Sequence, residues 1–78
     1  MHIVVYGPGC HRCYETERIV REALAELGFQ ASVRKESDYQ AMAAAGVLAT
    51  PAVTIDGVLK IAGRIPKAAE VQGWLVGA

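Results

Sequence analysis

The chain has 78 residues and a mass of 8.3 kDa, enough for one small hydrophobic core. Apolar residues make up 53% of it, which is too many for a disordered tail. Eight Lys and Arg balance eight Asp and Glu, which leaves no cationic footprint for nucleic acid and no polybasic anchor for a membrane.

The N-terminal stretch, Met1-His2-Ile3-Val4-Val5-Tyr6, breaks at Gly7-Pro8-Gly9. It lacks the charged leader and long apolar segment of a signal peptide, and no run approaches the ~20 residues of a membrane span. The expected compartment is a reducing cytoplasm, where a disulfide points to catalysis before scaffolding.

Ile3 to Tyr6, apolar and β-branched, predicts a buried strand of a parallel sheet. From Cys10 to Leu27 the period becomes helical. Ile19, Val20, Ala23, Leu24 and Leu27 share a face with Cys13 and Thr16, while Arg18, Glu22 and Glu26 lie opposite. Glu17 pairs with Arg21 at i,i+4, and Gly28 is a natural C-cap. Phe29 to Arg34 alternates and predicts a second strand. Ser37 with Gln40 forms a capping box for a short helix that Gly46 closes. Ala52 to Ile55 and Val58 to Ile61 flank Asp56-Gly57, the two-residue turn signal of a hairpin. Pro66 fits the first position of a last helix through Glu70 and Trp74, which Gly73 weakens.

The order is β-α-β-α-β-β-α over one domain, residues 1–78. Strands joined through a helix run parallel and a tight hairpin runs antiparallel. The expected α/β architecture is a four-stranded mixed sheet with helices on both faces.

The two cysteines, Cys10 and Cys13, are spaced C-x-x-C at the start of the long helix. The unpaired N–H groups and the dipole of that helix stabilise a thiolate at Cys10. Arg12, and His11 when protonated, add cationic charge. Such surroundings lower a thiol pKa from ~8.5 to ~7, which raises the thiolate fraction at neutral pH from about 3% to about half. Two plainer readings compete. A bridge closing four residues removes only roughly 2 kcal/mol of unfolded-state entropy, so it is a poor staple. A closed zinc site needs four ligands, and His11 and His2 are badly placed to complete one.

Other features have ordinary explanations beside functional ones. His2 suits a surface position at a strand start, and Trp74 suits core packing. Tyr14 is either an exposed helix residue or a neighbour of the site. Thr50-Pro51 fits a strand's leading position, and spacing alone does not separate that from a role in the site.

The chain resembles the thioredoxin-like superfamily, in particular its small prokaryotic glutaredoxin-like or redox-active disulfide proteins. The likeness runs over nearly the whole chain. It rests on Gly7-Pro8-Gly9-Cys10-His11-Arg12-Cys13, on Gly46-Val47-Leu48-Ala49-Thr50-Pro51, and on Asp56-Gly57 followed by Gly63-Arg64-Ile65-Pro66. It implies a thioredoxin-like fold, a cis Pro51 beside the cysteine pair, a Thr50 backbone that pairs with an extended substrate, and Gly63 in the same groove. It also implies that Cys10 is the nucleophile and Cys13 the resolving thiol. Three positions depart from the family pattern. Gly9 replaces the Trp that precedes the first cysteine of thioredoxins, the first strand has no carboxylate, and Arg64 stands where glutaredoxins carry an Asp.

The expectation is a cytoplasmic thiol–disulfide oxidoreductase, monomeric, with no bound cofactor and no metal. Its expected partners are protein disulfides and a thioredoxin-reductase-like enzyme or a low-molecular-weight thiol that restores the dithiol. Two alternatives use the same cysteines: a module that binds copper, zinc or an iron–sulfur cluster, and a redox-sensing interaction domain.

Overall fold

The computed structural model describes residues 1–9 and 11–77. The elements follow in the order β1 (His2–Tyr6), α1 (His11–Leu27), β2 (Ser32–Glu36), α2 (Tyr39–Ala44), β3 (Ala52–Ile55), β4 (Val58–Ala62) and α3 (Ala68–Gly77). They build a four-stranded mixed sheet in the order β2-β1-β3-β4. β1 runs parallel to β2, with Ile3 opposite Val33, and antiparallel to β3, with Val5 opposite Val53. β3 and β4 form the hairpin, and both turn residues have positive φ (Asp56 at 49° and Gly57 at 83°). The Asp56 side chain accepts the His2 N–H at 2.7 Å while the Asp56 N–H donates to the His2 carbonyl at 2.8 Å, which ties the turn to the start of β1.

Alternation along the central strands divides the interior in two. Ile3 and Val5 of β1 and Val53 and Ile55 of β3 face α1 and α3, whose Val20, Ala23, Leu24, Val71 and Leu75 complete the larger core. Tyr6 and Ala52 face the other way and pack with Met42 of α2 and with Val47. Trp74 is half-buried against the larger core, in line with a packing role. The outer strands carry less of the interior: on β4 only Ile61 is buried.

Three local expectations need correction. The second strand begins at Ser32, not Phe29. The α1 cap consumes the residues between, because Phe29 N–H bonds the Leu24 carbonyl at 3.0 Å in a wrap around Gly28. The short helix is capped by Asp38, not Ser37, since the Asp38 carboxylate accepts the Gln40 N–H at 2.9 Å. Pro66 precedes the last helix by two residues instead of opening it: Glu70 reaches back to the Lys67 N–H at 2.9 Å and sets the start at Ala68. Gly73 does not interrupt that helix, which runs to Gly77.

On α1 the buried residues are Cys13, Thr16, Val20, Ala23 and Leu24. Thr16 loses no hydrogen bond in the core, because its hydroxyl donates to the Arg12 carbonyl at 2.8 Å. The polar face holds Arg21 on Glu17 at 2.9 Å, and Arg18 on Glu22 at 2.6 Å and on Glu15.

Candidate active site

β1 delivers the chain to the end of the sheet, where the Gly7 N–H donates to the Glu36 carbonyl at 2.9 Å. α1 then starts at His11, and its third residue, Cys13, is wholly buried. Cys13 lies so close to Gly7 that a Cβ built there would strike the Cys13 Sγ and lie 2.9 Å from its Cβ. The same built atom would be 4.0 Å from the Thr50 Cβ. Gly7 is therefore the bare backbone surface on which Cys13 and Thr50 meet, and the demand is spatial, since Gly7 is not among the positive-φ residues.

The Thr50–Pro51 peptide bond is cis and Pro51 is buried. The Pro51 carbonyl accepts the Gly63 N–H at 2.9 Å. Gly63 has φ of +90°, and its missing Cβ would lie 3.3 Å from Ala49. Its carbonyl accepts a hydrogen bond from the Arg12 guanidinium at 3.1 Å. A chain of contacts thus runs from Arg12 to Gly63, to Pro51 and Thr50, and back to Gly7 and Cys13.

Five residues singled out from the sequence therefore come together: Arg12, Cys13, Thr50, Pro51 and Gly63. Cys10 lies outside the described residues. His11 is exposed at the first position of α1. Its charge helps to hold the Glu15 carboxyl below its usual range, after the larger effect of the Arg18 hydrogen bond. His2 sits at the opposite end of β1, with Nδ1 2.8 Å from the Ser32 hydroxyl. Among the described residues no three His, Cys, Asp or Glu side chains are grouped to hold a metal.

Two features of the site escaped the sequence. One is the packing role of Gly7, for which a glycine immediately after the strand was the signal. The other is Lys35, whose Nζ lies 3.5 Å from the centre of the Tyr14 ring, a cation–π contact. A Cβ on Gly9 would be 3.8 Å from that Nζ and 3.9 Å from the Tyr14 hydroxyl. Tyr14 and Lys35 therefore border the loop before Cys10. Only the register of β2 beside β1, Lys35 opposite Val5, brings them there.

The remaining electrostatics lie around this core. The Arg64 guanidinium grips both oxygens of Glu70 at 2.8 and 2.7 Å, so Arg64 is occupied on α3. That pair, helped by the Lys67 N–H, pushes the Glu70 carboxyl down to about 2 and raises Arg64. Arg34 and the Asp38 N–H lower Glu36 in the same way. Among the described residues the buried polar side chains are Thr16 and Thr54, so no carboxylate is buried beneath Cys13. A cleft of about 210 Å³, lined by residues that include Tyr39, Met42 and Thr50, opens beside the cis proline. Leu48 projects at its rim with 96% of its surface exposed.

No helix is long and apolar enough to cross a membrane among the described residues. A family model described as a thioredoxin domain matches residues 1–76. A thioredoxin of Methanothermobacter thermautotrophicus is 39% identical over 72 residues, covering 92% of this chain and 94% of the relative. A thioredoxin of Methanocaldococcus jannaschii is 36% identical over 70 residues, covering 90% of this chain and 80% of the relative. With a four-stranded mixed sheet, three helices and matches along nearly its whole length, the chain belongs to the thioredoxin family.

Proposed function

We propose that this thiol–disulfide oxidoreductase of the thioredoxin family works through the dithiol of Cys10 and Cys13. The Cys10 thiolate attacks one sulfur of a substrate disulfide. The substrate S–S bond breaks, a Cys10–substrate bond forms, and the departing sulfur takes up a proton. Cys13, once deprotonated, attacks the Cys10 sulfur and displaces the second substrate thiol, which is also protonated. Two electrons pass from the cysteine pair to the substrate, and the pair ends as a disulfide. A reductase or a small thiol of the reducing cytoplasm then restores it. Disulfide exchange of this kind needs no metal and no bound cofactor.

One observation carries the reading: buried Cys13 meets Thr50 across bare Gly7, and Arg12, Gly63 and Pro51 close the circuit around them. Within that circuit the backbone of Thr50 serves as the pairing edge for an extended substrate segment. Cys13, wholly buried, serves as the resolving thiol, shielded from direct encounter with substrate. Its proton passes to the departing substrate thiolate before Cys13 attacks Cys10.

The test is reduction of insulin with dithiothreitol as the electron source. Cys10→Ser abolishes turnover, and reduced Cys13→Ser, freed of dithiothreitol and then mixed with insulin, is held as a mixed disulfide with it. Full activity in Cys10→Ser would refute the assignment. Stoichiometric metal in the purified protein together with no turnover would point to the metal-binding alternative.

A further inference from the structure

The charges of this chain are unevenly satisfied. Four of its five arginines are held by carboxylates: Arg18 by Glu15 and Glu22, Arg21 by Glu17, Arg34 by Glu36, and Arg64 by Glu70. The fifth is Arg12, inside the C-x-x-C motif. Its guanidinium donates instead to the Gly63 carbonyl, a neutral group that leaves its charge uncompensated. Lys35 is likewise seated on the neutral ring of Tyr14. The carboxylates nearest to these residues in sequence are committed elsewhere, Glu15 to Arg18 and Glu36 to Arg34 and the Asp38 N–H.

The sheet order sets these two cations apart. Lys35 comes from β2, on one side of β1, and borders the loop before Cys10. Arg12 reaches in the other direction, across β3 to the residue that follows β4. β1, which leads to Gly7 and the buried Cys13, lies between the two in the sheet order. Lys60 and Lys67 also lack a carboxylate bond among the described residues, but they belong to β4 and to the approach to α3.

We infer that the site selects disulfides flanked by carboxylates, with Arg12, pinned on Gly63, and Lys35, seated on Tyr14, receiving an acidic group on either side of the reacting sulfurs. The inference rests on the oxidoreductase reading and specifies its substrate class. Fixing each cation on a neutral partner lowers the side-chain entropy lost when an anion arrives. Arg12 spends one N–H on Gly63 and keeps the rest of its planar fork for a carboxylate. Both cations are within reach of water, so each contributes modestly, about threefold in rate at low salt, and the pair about tenfold.

The experiment compares three symmetrical alkyl disulfides: dithiodipropionate, a dianion; cystamine, a dication; and neutral hydroxyethyl disulfide as the normaliser. Their leaving thiols differ in pKa, so the ratios of each variant are read against those of wild type. The reading is the dianion-to-neutral ratio of second-order rate constants for the reduced protein, with the dication as the control of opposite sign. Arg12→Gln with Lys35→Gln lowers the ratio about tenfold, Lys35→Gln alone about threefold, and Lys35→Arg keeps it. Salt at about 0.5 M brings the wild-type ratio to that of the double variant. Loss of rate on all three probes by the same factor would show that these residues act on the thiol or on the fold, and would overturn the inference while sparing the oxidoreductase. A wild-type protein that reduces neither these probes nor insulin would overturn both.

Discussion

Gly7→Ala places one methyl group where the chain has no room for it. The added Cβ would strike the Cys13 Sγ and lie 2.9 Å from the Cys13 Cβ, against an ordinary carbon contact of about 3.5–4.0 Å. Cys13 cannot swing outward, because it is wholly buried on the inner face of α1. Relief therefore requires the first turn of α1 or the end of β1 to move. Overpacking of this kind costs about 1–3 kcal/mol. A domain of this length has about 4–12 kcal/mol in total, so the midpoint of thermal unfolding falls by about 5–20 °C. The assay is thermal denaturation of the reduced protein, with Gly73→Ala as the counterpart. That residue lies in α3 with open space around its missing Cβ, so the same change there is neutral or adds about 0.5–1 kcal/mol. Placing Gly7→Ala in a Cys13→Ala background removes the struck sulfur and recovers part of the loss. A Gly7→Ala protein within 0.5 kcal/mol of wild type, or one no better tolerated when Cys13 is cut back, would refute the packing argument.

Two further outcomes follow from the caps and ion pairs. Asp38→Ala removes the acceptor of the Gln40 N–H from a six-residue helix and costs about 1 kcal/mol, measured by denaturant titration with an unchanged slope. The Glu70 carboxyl is depressed from 4.5 to about 2, so its pairing with Arg64 and Lys67 stabilises the fold fully above pH 4.5 and is lost as pH falls toward 2. Glu70→Gln therefore reduces the steepness of acid destabilisation in that window, and an unchanged pH profile between 4.5 and 2 would show that the pair does not survive in solution.

The sequence disclosed most where a rule of period or turn acted without competition. Ile3, Val5, Val20, Ala23 and Leu24 are all in the larger core, and Asp56-Gly57 makes the hairpin turn. It misled at boundaries where two local signals overlapped. Phe29 alternates correctly for a strand, but the wrap around Gly28 claims it first. Ser37 and Asp38 are both good caps, and the side chain that reaches the Gln40 N–H is that of Asp38. At the site, the residue types pointed to Cys13, whereas only the family resemblance singled out Thr50-Pro51. What they could not carry were partners distant in sequence. Arg12 suggested a charge beside a thiol, but its bond to Gly63 depends on the β4 end folding back across the sheet. Lys35 gave no sign at all, because only strand register brings it to Tyr14.

The division of the interior by the sheet has a dynamic consequence. Among the described residues, the face that carries α1 is backed by ten buried apolar residues and two helices, whereas the face that carries α2 is backed by four and one helix of six residues. Local opening is cheapest where the fewest apolar contacts must be broken. Amide hydrogens of Tyr39 to Ala45 therefore exchange through a sub-global opening that leaves the β1–α1 unit intact. The stretch Val47 to Thr50 hangs from that less protected side, while Cys13 is anchored in the more protected one. The molecule thus joins a firmly held Cys13 to a wall at Val47 to Thr50 that yields more easily, so the two sides of the candidate site differ in stiffness.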